Sequence, residues 1–543
     1  MSDHPTAICV RCGVSILSDT DTIGSSTVHE LLNSNMSPST DTQVAAARQA
    51  LRSLENEIAS LDEKISQMRD AMERMQERRS ALHDHAAAHK GLVSSLRRFP
   101  AEILSEIFLH SLPAFPRAMS EDQAPLLLDR VCRRWKDVSR STPALWSYIA
   151  VNLWEDEEDF DLWIVSICLA RAGNHPLMIS LGSNTRTISL SGLSRVVKLD
   201  HPALALLVAQ CELWHTVYLQ MPLSVLLSLS KIRGRLASLH KLRIFTDTAE
   251  DDEAIVAFAD APRLRRFDAR TNFFRDPATK KLHLPWGSLT NLTIDERDAG
   301  TTWAILQDCL NLVDLKANIG CRGQGGRLGL PDLILSHLRS LTIKLPESSN
   351  VLSTLTLPRL KHATFMISEG SRRDGEDGDI SAVWHVRSGL SAMLLQSRCE
   401  LLELKLRDEV NIFQSEDLIA CLEALPSLTR LDVGDSISNI LPQSLADLSR
   451  NGGAKTPLAP QLKTLMLDAR NMSFPWHLLP DFLRSRRVNG GRFEVLRRLR
   501  LRVKEAGASA AGVPDFVQDT LRTLQLDGMN TEVVNERGLV DWL

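Results

Sequence analysis

LHKLRI (Leu239–Ile244) returns as LRRFDA (Leu264–Ala269) and again as LTNLTI (Leu289–Ile294), each copy 25 residues after the last. The unit is leucine, two variable residues, leucine or an equivalent, one variable residue, then an apolar residue. It starts again at Leu312, Leu338, Leu360, Leu401, Leu428, Leu462, Leu496 and Leu521, and WHTVYL from Trp214 fits as an earlier copy. Later steps run 22 to 27 residues, with longer ones of 41, 34 and 34. A period of this length means stacked units, because the apolar face of one unit is covered only by its neighbours. Alternation within each copy predicts one short strand per repeat. Between the copies, DDEAIVAFADAP, TTWAILQDCL, SEDLIACLEALP and SFPWHLLPDFLRS predict return helices.

The unit resembles the leucine-rich repeat. That resemblance implies an α/β solenoid over 211–543, with a concave parallel sheet and helices on the convex side. The Asn or Cys that usually follows the strand is mostly missing, so the array is irregular. Two long steps hold polar insertions, SEGSRRDGEDGD and RNGGAKTP, which read as mobile loops. Residues 151–210 read as a connecting segment with degenerate first repeats: DLWIVSICLARAG is helical and HPLMISLG a strand.

The chain has 543 residues, enough for several domains, and 43% of them are hydrophobic. A net charge of −4 gives no general pull toward nucleic acid or anionic membrane. Nine scattered cysteines fit a reducing compartment, and the one close pair, Cys9 and Cys12, lacks the second pair of a structural zinc site. No secretion signal or membrane span is evident, so a cytoplasmic or nuclear location is expected. No cofactor or metal is expected, nor is intrinsic catalysis. CRGQGGRLGLP lacks the Lys-Ser/Thr of a phosphate loop, and no Gly-x-Ser-x-Gly or His-Glu-x-x-His occurs.

Residues 1–42 are polar and aperiodic and read as a disordered tail. Over 43–90 the pattern becomes heptad. Val44, Leu51, Ile58, Ile65 and Met72 interleave with Ala47, Leu54, Leu61, Met68, Met75 and Leu82, and Arg79 interrupts the first series. In a parallel in-register dimer Glu57 would face Asp62 of the other copy, and Lys64 would face Arg69. Both pairs repel, so a parallel homodimer is disfavoured. The seam is expected to pack antiparallel, against another protein, or back onto its own chain. His85 and His89 lie at helical spacing, but a solvated face explains them better than a metal.

Between this helix and the repeats stand SLRRFPAEILSEIFLHSLP and APLLLDRVCRRWKDVSRSTPALWSYIAVNLW. The first predicts a short amphipathic helix after Pro100. In the second, Leu127, Val131 and Trp135 fall four apart, as on one helical stripe. Together, residues 95–150 resemble an F-box of the kind found in the large fungal F-box families. The matching positions are Phe99, Pro100, Glu102, Ile103, Leu104, Ile107 and Phe108, then Val131, Cys132, Arg133 and Trp135. Phe99 replaces the usual Leu, and the segment from Pro113 to Pro125 is longer than usual. The resemblance implies docking to the Skp-type adaptor of a cullin-based ubiquitin ligase through Pro100, Ile103, Leu104, Ile107, Phe108, Val131 and Trp135. Behind an F-box, the repeats imply a substrate receptor; the alternative is an interaction scaffold acting outside a ligase.

The variable strand residues are expected to form the substrate face. Arg243, Arg265, Arg266, Arg270, Arg339, Lys344 and Lys361 are basic, as are Arg497, Arg498, Arg500 and Arg502. From these, Arg243, Arg266, Arg339, Lys344, Arg498 and Arg500 are the candidate contacts for an acidic or phosphorylated protein substrate. Nucleic acid is disfavoured, because interleaved aromatics are lacking.

Overall fold

Stacking of the repeat leucines sets the architecture. The computed structural model describes residues 29–33, 37–93, 95–112, 120–151, 158–182, 201–246, 254–269, 282–296, 299–319, 330–346, 351–368, 383–434, 437, 441, 459–470, 474–486, 494–504, 513–535 and 538–539. The chain divides into two units, Met1–Pro100 and Ala101–Leu543. Most of the polar tail, both polar insertions, the glycine-rich stretch, the Cys9–Cys12 pair and Arg270 lie outside the described residues.

The first unit is dominated by one helix, Asp41–Val93, of 53 residues. Its start is capped locally: Gln43 N donates to Thr40 Oγ1 at 3.4 Å, and Ser39 N donates to Gln43 Oε1 at 3.0 Å. Asp41 in the first turn and Lys90 in the last complement the helix dipole. The helix spans the whole heptad stretch, residues 43–90. Its seam residues from Leu51 to Leu82 are exposed.

In the second unit fourteen parallel strands form a single sheet in chain order, each pairing with the next. They run from Tyr148–Val151 and Leu177–Gly182 through Trp214–Gln220, Lys241–Phe245 and Arg266–Ala269 to Arg498–Val503 and Asn530–Asn535. Gly538–Leu539 adds a short antiparallel end strand. Strand order in this sheet follows chain order from end to end, as a chain of stacked repeats requires. The register brings like positions together. Leu242, Phe267, Leu292, Leu315, Leu341, Ala363, Leu404 and Leu431 form one unbroken buried row. Ile244, Ala269, Ile294, Ala317, Ile343, Phe365, Leu406 and Val433 form a second. Each fully buried Leu, Ile or Phe contributes about 1.5–3 kcal/mol.

The first leucine of each unit is also buried, and it closes a turn. Its N–H donates to the carbonyl three residues back in the pairs Leu239–Leu236, Leu264–Ala261, Leu289–Trp286, Leu312–Cys309, Leu338–Leu335 and Leu360–Leu357. All six acceptors belong to buried residues. The repeat thus has a further apolar position ahead of its first leucine.

Three expectations are corrected. LRTLQL from Leu521 is the end of a helix, Asp515–Leu526, and the strand follows at Asn530–Asn535. Val517, Leu521 and Leu524 make its buried face, while Leu526, in the last apolar position of the unit, is 90% exposed. DDEAIVAFADAP forms no helix among its described residues; Ile255 bridges to Leu282, and a turn follows. Leu127, Val131 and Trp135 do not share one helix. Leu128–Val131 and Arg133–Arg140 are separated at Cys132, whose φ of −162° and ψ of 167° are extended. The other return helices appear at Ala299–Asp308, Ser415–Glu423 and Leu479–Ser485.

Leu404→Ala should cost about 2–5 kcal/mol by leaving a hole between Ala363 and Leu431. Arg339→Ala on the exposed side should stay within about 0.5 kcal/mol. Urea midpoints on the full chain check both; equal losses would contradict the assignment of the inward row.

Candidate functional site

Two surfaces of the second unit stand out, one apolar and one cationic. The first is the helical module at the start of the unit. Helix Ala101–His110 carries apolar residues on two adjacent faces. Leu104 and Phe108, four apart, point inward and are buried. The Phe108 ring packs on Trp135 with centroids 4.8 Å apart, and Trp135 is half-buried. Ile103 and Ile107, one step round the helix, are 48% and 39% exposed. Leu127 and Val131 are 41% and 52% exposed, and Cys132 is exposed. Among the described residues of this unit eleven large apolar side chains are exposed, and four of them fall within residues 103–131. That concentration sets the module apart from the scattered exposed apolar residues normal on a protein surface.

The module is held rigidly behind this face. Leu145 and Trp146 are buried, and Trp146 Nε1 donates to Ser139 O at 2.8 Å. The Arg171 guanidinium lies 4.1 Å from the Trp146 ring centroid. Asp129 Oδ2 accepts from Arg140 Nε at 3.0 Å and from Arg171 Nη1 at 3.2 Å, which ties both short helices to Glu158–Ala172.

The expected adaptor contacts therefore divide. Ile103, Ile107 and Val131 are on the surface. Leu104 and Phe108 are core, because the helix needs one apolar face for its own module; they have no surface to offer. Trp135 serves the core through Phe108. Pro100 is exposed and belongs to the N-terminal unit. Leu127, legible in the sequence only as part of an apolar stripe, joins the surface set.

The second surface is the outward face of the sheet. Its arginines are mostly neutralised by carboxylates one strand away. Arg243 Nε donates to Asp268 Oδ2 at 2.6 Å, and Arg407 Nη2 to Asp432 Oδ1 at 2.7 Å. Arg498 and Arg500 both flank Glu532, at 3.9 and 3.7 Å. Burial pushes the Glu403 carboxyl up, but Lys405, Arg430 and His362 outweigh it and hold Glu403 below the usual carboxylate range. Arg243, Arg498 and Arg500 are thus committed to internal pairs, which argues against them as substrate contacts. Arg266, Arg339 and Lys344 carry no ion pair among the described residues.

The uncommitted charge gathers beside the strand starts. A groove of about 840 Å³ is lined by Arg265, Arg339, Arg359 and His337, with Ser288, Thr290 and Asn311 between them. None of its nine lining residues is acidic. Several of its polar groups serve the fold. Ser288 Oγ donates to Leu264 O at 2.8 Å, Asn311 Nδ2 to Gly287 O at 2.7 Å, and Arg265 Nη1 to Pro262 O and Leu264 O at 3.0 Å. Arg339, Arg359 and His337 are exposed. His337 and Arg359 were missed in the sequence. Each directly precedes the first leucine of its repeat, as Arg265 and Arg339 directly follow theirs; aligning the copies on that leucine would have found the group.

No three or more His, Cys, Asp or Glu residues cluster as a metal site among the described residues, and no described helix is long and apolar enough to cross a membrane. No protein-family model matches the chain, and the search of curated proteins found no match.

The thiols mark the exposed module. Burial pushes Cys168 and Cys421 up to about 12, which suppresses their thiolates. A maleimide should therefore label Cys132 in the native chain well before Cys168, Cys211, Cys309, Cys399 or Cys421, as read by peptide mass mapping. Simultaneous labelling of all six would contradict the exposed placement of Cys132.

Proposed function

We propose that the chain is the substrate-receptor subunit of a Skp–cullin–F-box ubiquitin ligase. The observation that carries this reading is the uncovered apolar face of the module: Ile103, Ile107, Leu127 and Val131 exposed in front of a packed Leu104–Phe108–Trp135 core. The F-box-like residues dock the adaptor with that face, where each aliphatic side chain buried contributes up to about 1.5–3 kcal/mol. The repeats select a protein substrate. The receptor contributes no catalytic residue; it acts by holding substrate at high effective concentration near the charged conjugating enzyme.

The substrate presents an acidic or phosphorylated segment to the groove at Arg265, Arg339, Arg359 and His337. Planar guanidinium groups suit phosphate oxygens because they donate two parallel hydrogen bonds. The uncommitted cations there support this placement over the internally paired Arg243, Arg498 and Arg500.

Pull-down of the full chain tests the adaptor step. Wild type should recover a Skp-type adaptor and a cullin. Ile103→Asp/Val131→Asp should lose both while the melting temperature of the repeats holds. Failure of wild type to recover them overturns the reading and favours a scaffold acting outside a ligase, and recovery of both by the variant overturns the assignment of the docking face. For the substrate step, a degenerate phosphoserine peptide library should bind about 10-fold more weakly to Arg339→Glu/Arg359→Glu than to wild type. Equal wild-type binding of the phosphorylated and unphosphorylated libraries would end the substrate assignment.

A further inference from the structure

The long helix Asp41–Val93 leaves a heptad seam exposed along its length, from Leu51 through Ile58, Leu61, Ile65 and Met72 to Leu82. Such a row of aliphatic side chains is stable in water only when a second helix inserts its own row between them. We infer that the occupant is a second copy of this chain, running antiparallel, with its helix centred on the midpoint between Ser66 and Gln67.

The seam itself chooses the direction. In a parallel in-register pair Arg79 would meet Arg79 of the other copy inside the seam, and Glu57 would meet Asp62. Reversing one helix about the stated midpoint places residues whose numbers sum to 133 at the same level. Ile65 then meets Met68, Leu61 meets Met72, Ile58 meets Met75 and Leu51 meets Leu82, so the central layers are wholly apolar. Arg79 meets Leu54, where its long stem packs and its guanidinium reaches water.

The flanking charges choose the register. Reversal puts like flanks of the heptad side by side, and the nearest pairs in level become Glu57 with Arg78, Asp62 with Arg69, and Asp41 with Lys90. All three attract, and each occurs twice by symmetry. A shift of one heptad layer in either direction loses this. One shift sets Lys64 against Lys64 and Asp62 against Asp62; the other sets Lys64 against Arg78 and Arg69 against Arg69. At 1.5 Å per residue the two Val93 ends stand about 80 Å apart. The dimer therefore carries two copies of the repeat unit, one joined to each helix end. The inference does not depend on the adaptor or substrate assignments.

Sedimentation equilibrium on the full chain at low micromolar concentration tests it, without any other protein present. Wild type should sediment at twice its 60.5 kDa chain mass. Glu57→Arg and Arg78→Glu should each raise the dissociation constant about 10-fold, and the double exchange should restore it. Both positions are exposed on the helix, so folding is not at stake. Leu61→Asp should abolish the dimer. A monomeric wild type, or a dimer indifferent to Leu61→Asp, overturns the inference. So does a dimer tightened by Glu57→Arg, since in a parallel pair that substitution would set an arginine against Asp62.

Discussion

Every repeat in this protein depends on its neighbour to cover two inward-facing side chains. A strand such as Asn291–Glu296 buries Leu292 and Ile294 only because Phe267 and Ala269 stand on one side and Leu315 and Ala317 on the other. Nothing within a single repeat could do this. The consequence is a sheet in which chain order and spatial order coincide. Because stability runs through the inward rows, the outward rows are free to vary. They carry charge, and much of that charge is internally balanced, as in Arg243–Asp268 and Arg407–Asp432. Partly exposed pairs of this kind contribute only about 0–1 kcal/mol each, so their main effect is to remove cations from the pool available to a ligand. Among the described residues, Arg339 and Arg359 in the groove near the middle of the sheet carry no ion pair.

The helical module obeys the same rule with a different outcome. Its helices are short and few, so one apolar face of Ala101–His110 closes on Trp135 and the other stays exposed among the described residues. The Asp129–Arg140–Arg171 pairs and the Arg171–Trp146 stack fix the module in place, so the open face is presented without being absorbed.

Most of the parallel sheet was legible in the residues, and the failures have physical causes. The strands from Trp214 to Arg498 were readable because alternation and the repeat period agreed. Leu521 failed because leucines three apart fit a helix face as well as a strand, and Asp515–Leu526 took the helix. The discriminating sign was the sixth position: Ile244, Ile294 and Leu406 are buried, whereas Leu526 is not. The stripe Leu127–Val131–Trp135 failed because spacing alone cannot show the extended break at Cys132. Leu104 and Phe108 were assigned outward because an apolar helix does not announce which of two adjacent faces its own module will use. The neutral pairing of Arg243 was accessible: Asp268 is the residue one period later, and stacked repeats bring such residues side by side.

The central claim is that the module's open face is the place where a foreign subunit grips the chain. Hydrogen–deuterium exchange of the full chain with and without a Skp-type adaptor measures this directly. The account predicts slowed exchange confined to residues 101–110 and 127–135, with the strands from Trp214 onward unchanged. Protection on the sheet instead, or no change in the module at saturating adaptor, would contradict it.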